Sequence, residues 1–148
     1  MKVKILDKRI TPNMLSYQTK GSAGIDLYAL PNEDIGDNFI IANRYSEFKT
    51  GIAVEIPEGY VGIIVPRSSI GSSGIMLANT VGVIDSDYRG EILFRLVAWS
   101  LSTRIRLDQP LRVAQLLIMP VNQVNIEIVK ELTDTERGEN GFGSTGKE

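Results

Sequence analysis

Two acids and a tyrosine stand together in one short stretch of the chain, where they could act on a ligand. Asp85-Ser86-Asp87-Tyr88 follows an apolar run at residues 81–84 and precedes another at residues 92–97. Apolar runs are typical of buried strands, and clustered acids and hydroxyls are typical of turns. The pattern predicts a β-hairpin whose tip presents Asp85 and Tyr88. The tip could hold a catalytic carboxylate, or its polar residues could serve only to form the turn.

Arginine, serine and glutamine side chains at two other places are suited to binding phosphate. Arg67 ends an apolar run and is followed by Ser68 and Ser69. A guanidinium donates two hydrogen bonds to one phosphate, and free N–H groups at a helix start favour an anion. The alternative is a helix cap with a surface salt bridge. Gln115 is the only polar residue within the apolar stretch 113–119, so its amide must find a partner in the backbone or in a ligand.

Asp26 is a third candidate. It lies between Ile25 and Leu27 in an alternating stretch, so on a strand it faces away from both neighbours. It is then either part of a site or an exposed strand residue.

The last sixteen residues, 133–148, differ from the rest of the chain. Their only large apolar side chain is Phe142, which stands among glycines, so the segment cannot bury enough surface to fold alone. It could be a disordered end. Glycine N–H groups can also cradle phosphate oxygens, and a phenylalanine ring can stack on a base. Residues 141–147 match the spacing of a Walker A loop, but Glu148 replaces the Mg²⁺-binding hydroxyl and no strand leads in, so we reject a P-loop.

The composition favours one ordinary folded domain and removes several kinds of chemistry. The 148 residues are 43% hydrophobic and 23% charged, with a net charge of −2, no Cys and no His. Disulfides, thiolate or imidazole metal sites and a Ser-His-Asp system are therefore excluded. The small negative charge argues against direct nucleic-acid binding. Residues 1–10 do not resemble a signal peptide and no apolar run is long enough for a membrane span, so we expect a cytoplasmic protein.

Short strands separated by turns explain most of the chain, and long helical periodicity is hard to find. A period of two predicts a half-buried strand at Val3 and Ile5, a hairpin from strands at 52–56 and 61–65, and a further strand at 124–129. Residues 40–49 fit either a helix or a strand. We predict an all-β sandwich or closed barrel.

Five segments, in order, resemble the trimeric deoxyuridine triphosphate pyrophosphatases, or dUTPases. They are residues 23–29, 66–69, 82–90, 112–115 and 137–146, and together they span almost the whole chain. The resemblance implies a jelly-roll-like β-barrel at residues 1–132 and a mobile arm at 133–148 that closes over the active site. It also implies a homotrimer with active sites at the subunit interfaces.

The resemblance implies hydrolysis of dUTP to dUMP and pyrophosphate, which limits uracil in DNA and supplies dUMP for thymidylate synthesis. Asp85 would deprotonate the water that attacks the α-phosphorus. Tyr88 would pack against the deoxyribose and exclude a 2′-hydroxyl. Asn79, with the backbone at Val83 and Ile84, would bind the uracil edge. Mg²⁺ would be held through the triphosphate and water, not directly by the protein.

The remaining roles implied by the resemblance concern the phosphates and the arm. Asp26 would be a supporting residue near the phosphates. The arm would cover the nucleotide, although Asn140 stands where the family often has glycine, so the arm is expected to close less freely. The residues expected at the phosphates are Arg67, Ser68, Ser69 and Gln115, with Arg137, Gly143, Ser144 and Thr145 over the γ-phosphate and Phe142 over the uracil.

Two alternatives belong to other functional classes. Ser69-Ile70-Gly71 also resembles the related dCTP deaminases. Those enzymes, however, carry a catalytic Glu where Arg95 stands, and they lack the turn Asp85-Ser86-Asp87-Tyr88. The other alternative is a nucleotide-gated regulatory protein with a protein partner bound at residues 34–49 or 71–78, segments that could equally be loop variation. Nucleotide binding without dUTP hydrolysis would favour the regulator.

Overall fold

A computed structural model describes residues 1–32, 38–42, 44–100 and 104–141 of the chain. Within these ranges the predicted all-β class is confirmed, and no helix is long and apolar enough to cross a membrane. The helical elements are a 3-10 helix at Pro12–Met14 and α1 at Ser68–Ser72. The strands are β1 (Lys2–Ile5), β2 (Gly24–Ala29), β3 (Phe39–Ile41), β4 (Ser46–Glu55), β5 (Tyr60–Pro66), β6 (Ile75–Leu77), β7 (Gly82–Ile84), β8 (Glu91–Ala98), β9 (Arg104–Arg106) and β10 (Leu111–Pro120).

The strands form two four-stranded antiparallel sheets and one small sheet. The first has the order β1-β4-β8-β6 and the second β2-β10-β5-β7, while β3 pairs with β9. Alternate residues of both large sheets point into one hydrophobic core. Phe48 on β4 and Phe94 on β8 lie directly opposite each other. They are among the largest buried side chains of the core, at 0% and 2% exposure. This cross-strand aromatic pair contributes a large part of the apolar surface that the first sheet buries in the core.

Both predicted hairpins are wrong. β7 pairs with β5, whereas β8 pairs with β4 and β6, so the stretch containing Asp85 and Tyr88 carries the chain from one sheet to the other. β4 and β5 likewise lie in different sheets. Alternation of apolar residues shows only that one face of a strand is buried. Two sheets that share a core give successive strands the same alternation, so the pattern does not show which strands pair.

Two other expectations about strands need correction. β1 forms, but its four residues are all exposed, so it is not half-buried within a single chain. Residues 124–129 form no strand, although Ile126 and Ile128 alternate as a strand would and are 90% and 95% exposed. A strand needs a neighbour for its N–H and C=O groups, and in the described part of the chain these residues have none. The ambiguous residues 40–49 divide between β3 and β4.

A β-bulge in β10 decides which side chains face the same way. The pairing of β10 with β2 shifts by one residue after Arg112, so Val113 is an extra residue in the strand. Arg112 and Gln115 are three residues apart and would otherwise point to opposite faces. With the bulge, Arg112 lies opposite Tyr28 and Gln115 opposite Asp26, so both share the face of Asp26.

An ion pair anchors the loop that follows β1. Arg9 donates from Nε and Nη2 to the Asp7 carboxylate, at 2.9 and 2.7 Å, and from Nη1 to the Pro31 carbonyl at 2.9 Å. The Arg9 hydrogen bonds lower the pKa of Asp7 from 3.8 to about 2. A lowered carboxyl pKa stabilises the folded state above the unfolded value, so this contribution is complete at neutral pH. It is lost as the pH falls from about 4 to about 2.

Candidate active site

Asp26 is the centre of a cluster of polar side chains on the second sheet. It is 1% exposed, although its side chain is charged. Its Oδ1 lies 3.1 Å from Arg67 Nε and 3.3 Å from Gln115 Nε2, and its Oδ2 lies 3.2 Å from Arg112 Nη1. An unpaired buried carboxylate would cost several kcal/mol. The two guanidinium groups offset that cost, and Asp26 in turn fixes their positions.

Three adjacent strands bring this cluster together. β10 runs between β2 and β5, so Gln115 has Asp26 on one side and Val65 on the other. Arg67 follows directly after β5, and its backbone N–H donates to the Val113 carbonyl at 3.1 Å. The cluster therefore lies where the end of β5 meets the bulge of β10.

The cluster is suited to an anion. Arg67 and Arg112 are 27% and 43% exposed, so N–H groups not used by Asp26 remain available to a ligand. Two arginines and one carboxylate leave a net charge of +1. Guanidinium groups held in fixed positions match the oxygens of a phosphate.

Arg112 is a member of this cluster that residue spacing did not predict. Strict alternation places it on the face opposite Gln115, and only the bulge brings the two together. A sequence signal was present, because an arginine directly before a buried apolar strand needs a partner for its charge. That signal does not name the partner, Asp26, which is 86 residues away.

Ser68 and Ser69 begin α1 immediately after Arg67. The N-cap residue is Arg67 itself and no side chain caps the helix, so the alternative of a helix cap at these serines is wrong. Both serines are exposed, while Ile70 is 4% exposed and anchors the helix in the core. Their place in the chain leaves the hydroxyls next to the arginine of the cluster.

The acidic turn is a separate, well-defined unit. The Tyr88 N–H donates to the Asp85 carbonyl at 3.2 Å, and Arg89 Nη1 donates to the carbonyls of Ser86 and Tyr88 at 2.7 and 2.9 Å. Asp85 is exposed, and Tyr88 is 42% exposed. An exposed carboxylate on a turn held by hydrogen bonds can bind and orient water.

A strained turn precedes β7 and holds Asn79. The Val81 N–H donates to the Asn79 carbonyl at 2.6 Å across Thr80, whose φ of 58° is unusual for a β-branched residue. Asn79 Nδ2 donates to the Val81 carbonyl at 3.1 Å. Strain of this kind persists where the surrounding structure requires one conformation, and it is common at functional sites. Asn79 is therefore held beside the strand that carries Val83 and Ile84.

The acidic turn and the Asp26 cluster lie at opposite ends of β5. Ile84, the residue before Asp85, pairs with Gly62, and Arg67 lies five residues further along. At about 3.3 Å per residue the separation is roughly 17 Å. A single chain thus brings Arg67, Gln115 and Asp26 together but keeps them away from Asp85.

The C-terminal candidates are only partly described. Arg137 is exposed, and its Nε donates to the Asn140 carbonyl at 3.0 Å. Gly138, with φ of 53°, forms the tight turn between them. Phe142, Gly143, Ser144 and Thr145 lie outside the described residues.

The metal expected from the sequence would need ligands other than a protein cage. Among residues 1–32, 38–42, 44–100 and 104–141 no group of three or more His, Cys, Asp or Glu side chains could hold a metal ion. Both oxygens of Asp26 are already bonded to arginine and glutamine. This donor set fits Mg²⁺ held mainly by phosphate oxygens and water.

The comparison with known families decides what kind of protein carries this site. The dUTPase family model matches residues 11–146. The chain belongs to the dUTPase family. The predictions of this family and of a dUTP-hydrolysing enzyme are confirmed, and dCTP deamination is not favoured.

Relatives and solved structures agree with that assignment. The deoxyuridine 5′-triphosphate nucleotidohydrolase of Polynucleobacter asymbioticus is 41% identical over 99% of this chain and 97% of that protein. The protein of the same name from Neisseria meningitidis is 39% identical over 99% of this chain and 96% of that protein. The dUTPase of Staphylococcus bacteriophage 80alpha, solved with dUpNHpp, has a TM-score of 0.78 and 27% identity over 98% of this chain and 97% of that chain.

We expect Asp26→Asn to raise the KM of this dUTPase for dUTP. Asparagine cannot neutralise Arg67 and Arg112, so both lose the group that positions them. Hydrogen bonds to charged groups contribute about 1.5–3 kcal/mol, which corresponds to a rise of roughly ten-fold to a hundred-fold. Steady-state pyrophosphate release measures it.

The matched control is Asp108→Asn. Asp108 also pairs with an arginine, Arg106, but both side chains are about two-thirds exposed, at 66% and 65%. Exposed pairs contribute little, so the control should keep the wild-type KM. A folded Asp26→Asn enzyme with an unchanged KM would show that the cluster does not bind substrate.

Proposed function

We propose that this dUTPase converts dUTP to dUMP and pyrophosphate at sites that each combine the Asp26 cluster of one subunit with the acidic turn of another. The observation that supports it best is the pair of arginines fixed by one buried carboxylate, with N–H groups left for a phosphate. Arg67, Arg112 and Gln115 hold the phosphates, and Ser68 and Ser69 add hydroxyl groups beside them.

Asp85 acts as the general base. A water held by its carboxylate attacks the α-phosphorus, Asp85 takes a proton from that water, and the bond to the bridging oxygen breaks to release pyrophosphate. Attack on a phosphate needs a positioned water and neutralised charge more than a strong nucleophile. A carboxylate suits a chain that has no histidine.

The acidic turn and the neighbouring strand select the nucleoside. Asn79 and the backbone at Val83 and Ile84 bind the uracil edge. The exposed face of the Tyr88 ring packs against the deoxyribose, where a 2′-hydroxyl has no room. Hydrogen-bonding sites of this kind reject an analogue that leaves their polar groups unpaired.

Mg²⁺ is the cofactor of the reaction. When bound, it neutralises charge on the triphosphate. A dUTPase from phage phi11 of S. aureus, 22% identical, is described as coordinating a structural Mg(II) ion. In this chain the arginines of the Asp26 cluster share the task of balancing the phosphate charge, and no direct protein ligand is proposed.

The distance along β5 supports sites shared between subunits. The attacked phosphorus must lie within a few ångströms of the water on Asp85 and of the arginines that hold its phosphate. Within one chain those groups are separated by roughly 17 Å. A closed symmetric assembly solves this, because each subunit offers its turn to one neighbour and its cluster to the other. We propose a homotrimer on this basis and on the family resemblance.

The exposed segment at residues 121–132 supports the same assembly. Its six large apolar side chains are 43–95% exposed, which is unusual for a protein that functions as a single chain. β1 is an edge strand with exposed Val3 and Ile5, and its Lys4 complements Glu127 in charge. The segment can add to β1 of a neighbouring subunit as an extra strand.

Beyond this segment, residues 133–148 form the arm that covers the bound nucleotide. Arg137, Gly143, Ser144 and Thr145 bind the γ-phosphate, and Phe142 stacks on the uracil. The support is composition, since glycine N–H groups bind phosphate oxygens and a phenylalanine ring stacks on a base. Residues 1–132 are the domain to which the arm is attached.

Neither alternative function is favoured. Arg95, where a deaminase would carry its catalytic glutamate, pairs with Glu47 at 3.2 Å and lies 5.1 Å from the Tyr45 ring centre. The phage 80alpha dUTPase is described as controlling the transfer of virulence genes by a G protein-like mechanism. That likeness is at 27% identity, whereas the curated relatives at 41% are named as hydrolases. A regulatory partner bound at residues 34–49 or 71–78 therefore has no specific support.

A pyrophosphate-release assay across dUTP, UTP, dCTP and dTTP, with and without Mg²⁺, tests the function. We expect turnover of dUTP alone and strong dependence on Mg²⁺. Asp85→Asn should keep dUTP binding and lose most of kcat, typically by a hundred-fold or more, about the contribution of one general base. A variant with normal turnover would remove Asp85 from its role.

Mixing two inactive variants tests whether sites are shared. Asp85→Asn lacks the base and Arg67→Gln lacks a phosphate ligand, so each homotrimer should be nearly inactive. In trimers assembled at random from both, about a quarter of the sites combine an intact turn with an intact cluster. Activity should recover to that level. No recovery, in trimers shown by mass spectrometry to be mixed, would place each site within one subunit.

Ile126→Asp tests whether the exposed segment at residues 121–132 docks on a neighbouring subunit. A charge placed on its apolar face should prevent docking, so the variant should be a monomer or dimer by sedimentation at a concentration where the wild type is a trimer. The control is Asn125→Asp, which adds the same charge on the other face of the segment and should stay trimeric. A trimeric Ile126→Asp variant would mean that this segment is not part of the interface.

A further inference from the structure

The hydroxyl end of the Tyr88 ring lies directly beside Gly90. A Cβ built on Gly90 would be 2.5 Å from Tyr88 Cζ and 2.9 Å from Cε2, and closer still to Oη. Carbon atoms in contact are ordinarily 3.4–4 Å apart. The ring therefore occupies the space that any side chain at position 90 would need. The φ of Gly90 is not positive, so its backbone does not itself require glycine.

The hydroxyl end of the same ring is tied to the next residue. Tyr88 Oη donates to the Glu91 carbonyl at 3.0 Å. Together with the contact at Gly90, this bond fixes both the plane and the tip of the ring. Tyr88 is nevertheless 42% exposed, so part of the ring remains open to a ligand.

Glu91 is in turn fixed by an irregularity in β4. Its Oε1 accepts from the Gly51 N–H at 2.8 Å, at the place where the β4–β8 pairing shifts between Lys49 and Ala53. Gly51 has φ of 72°, which aims that N–H out of the regular ladder. Thr50, 1% exposed, donates from Oγ1 to the Ile92 carbonyl at 2.7 Å. The start of β8 is thus held by side chains as well as by strand pairing.

We propose that Gly90 and Glu91 are positioning residues that set the selectivity of this enzyme for deoxyribonucleotides over ribonucleotides. Neither touches the sugar. Gly90 lets the Tyr88 ring lie low enough on the chain to admit the deoxyribose, and Glu91 holds the tip of the ring, so that the exposed face leaves no room for a 2′-hydroxyl. The inference rests on the proposed contact between Tyr88 and the deoxyribose.

The geometry gives the expected size of the effect. A methyl group at position 90 must push the ring away by about 1 Å to restore an ordinary contact. Misplacement by that distance can change a rate by about a hundred-fold. We expect Gly90→Ala to lower the ratio of kcat/KM for dUTP to that for UTP by about ten-fold or more. The kcat for dUTP should be largely kept, because Asp85 is not displaced. The loss should fall on the KM for dUTP, because a ring pushed outward crowds the deoxyribose that it otherwise fits, whereas UTP is already excluded and loses less.

Gly21→Ala is the matched control. Gly21 is exposed, its φ is not positive, and a Cβ there meets nothing within 4 Å. It should keep the wild-type ratio. Glu91→Ala provides a second test and should also lower the ratio, whereas Glu91→Gln keeps an oxygen that can accept from Gly51 and should restore most of it. A general loss of stability would lower dUTP and UTP turnover alike and leave the ratio unchanged.

A double-mutant cycle separates this inference from the proposed role of Tyr88. If Gly90 acts through the ring, Gly90→Ala should have no further effect on the ratio in a Tyr88→Ala background. A further loss in that background would overturn the inference. The inference would also be overturned if Tyr88→Ala lowered the ratio and Gly90→Ala did not. In that case the proposed contact between Tyr88 and the sugar would still hold. An unchanged ratio in Tyr88→Ala would instead overturn the sugar contact itself.

Discussion

The placement of one buried negative charge determines how this enzyme presents its positive charges. Asp26 can be 1% exposed only because Arg67, Arg112 and Gln115 satisfy both of its oxygens. The requirement acts in both directions, since the arginines need Asp26 to stay where a phosphate can meet them. The bulge at Val113 is the local backbone feature that makes the arrangement possible. Three strands, one irregularity and one carboxylate therefore produce a surface of fixed guanidinium groups, suited to a phosphate, that is organised before any ligand arrives.

Residue types in the sequence identified most members of this site, but they did not predict how those members are arranged. Arg67, Gln115 and Asp26 stood out because each is a polar residue within or beside apolar strands, and all three meet in the structure. Arg112 did not, because its orientation depends on a bulge that alternation cannot reveal. The all-β class followed from a period of two, but the two hairpins did not, since that period reports burial and not which sheet a strand joins.

The same limit explains the expected strand at residues 124–129. Its alternation predicted a strand, yet in the described part of a single chain the segment pairs with nothing and its apolar residues face solvent. β1, which also alternates, does pair with β4, but its four residues are exposed as well. Both patterns make physical sense when the folding unit is larger than one chain. A sequence records burial against any partner, including another copy of itself.

The roughly 17 Å between the acidic turn and the Asp26 cluster has a genetic consequence. In the proposed trimer each subunit serves two catalytic centres, with its turn in one and its cluster in the other. A chain defective in both regions would disable at least two of the three centres in every trimer that it joined. A cell making equal amounts of normal and doubly defective chains would keep about a quarter of its activity, not half. Such an allele would be dominant-negative, although the altered protein folds and assembles normally.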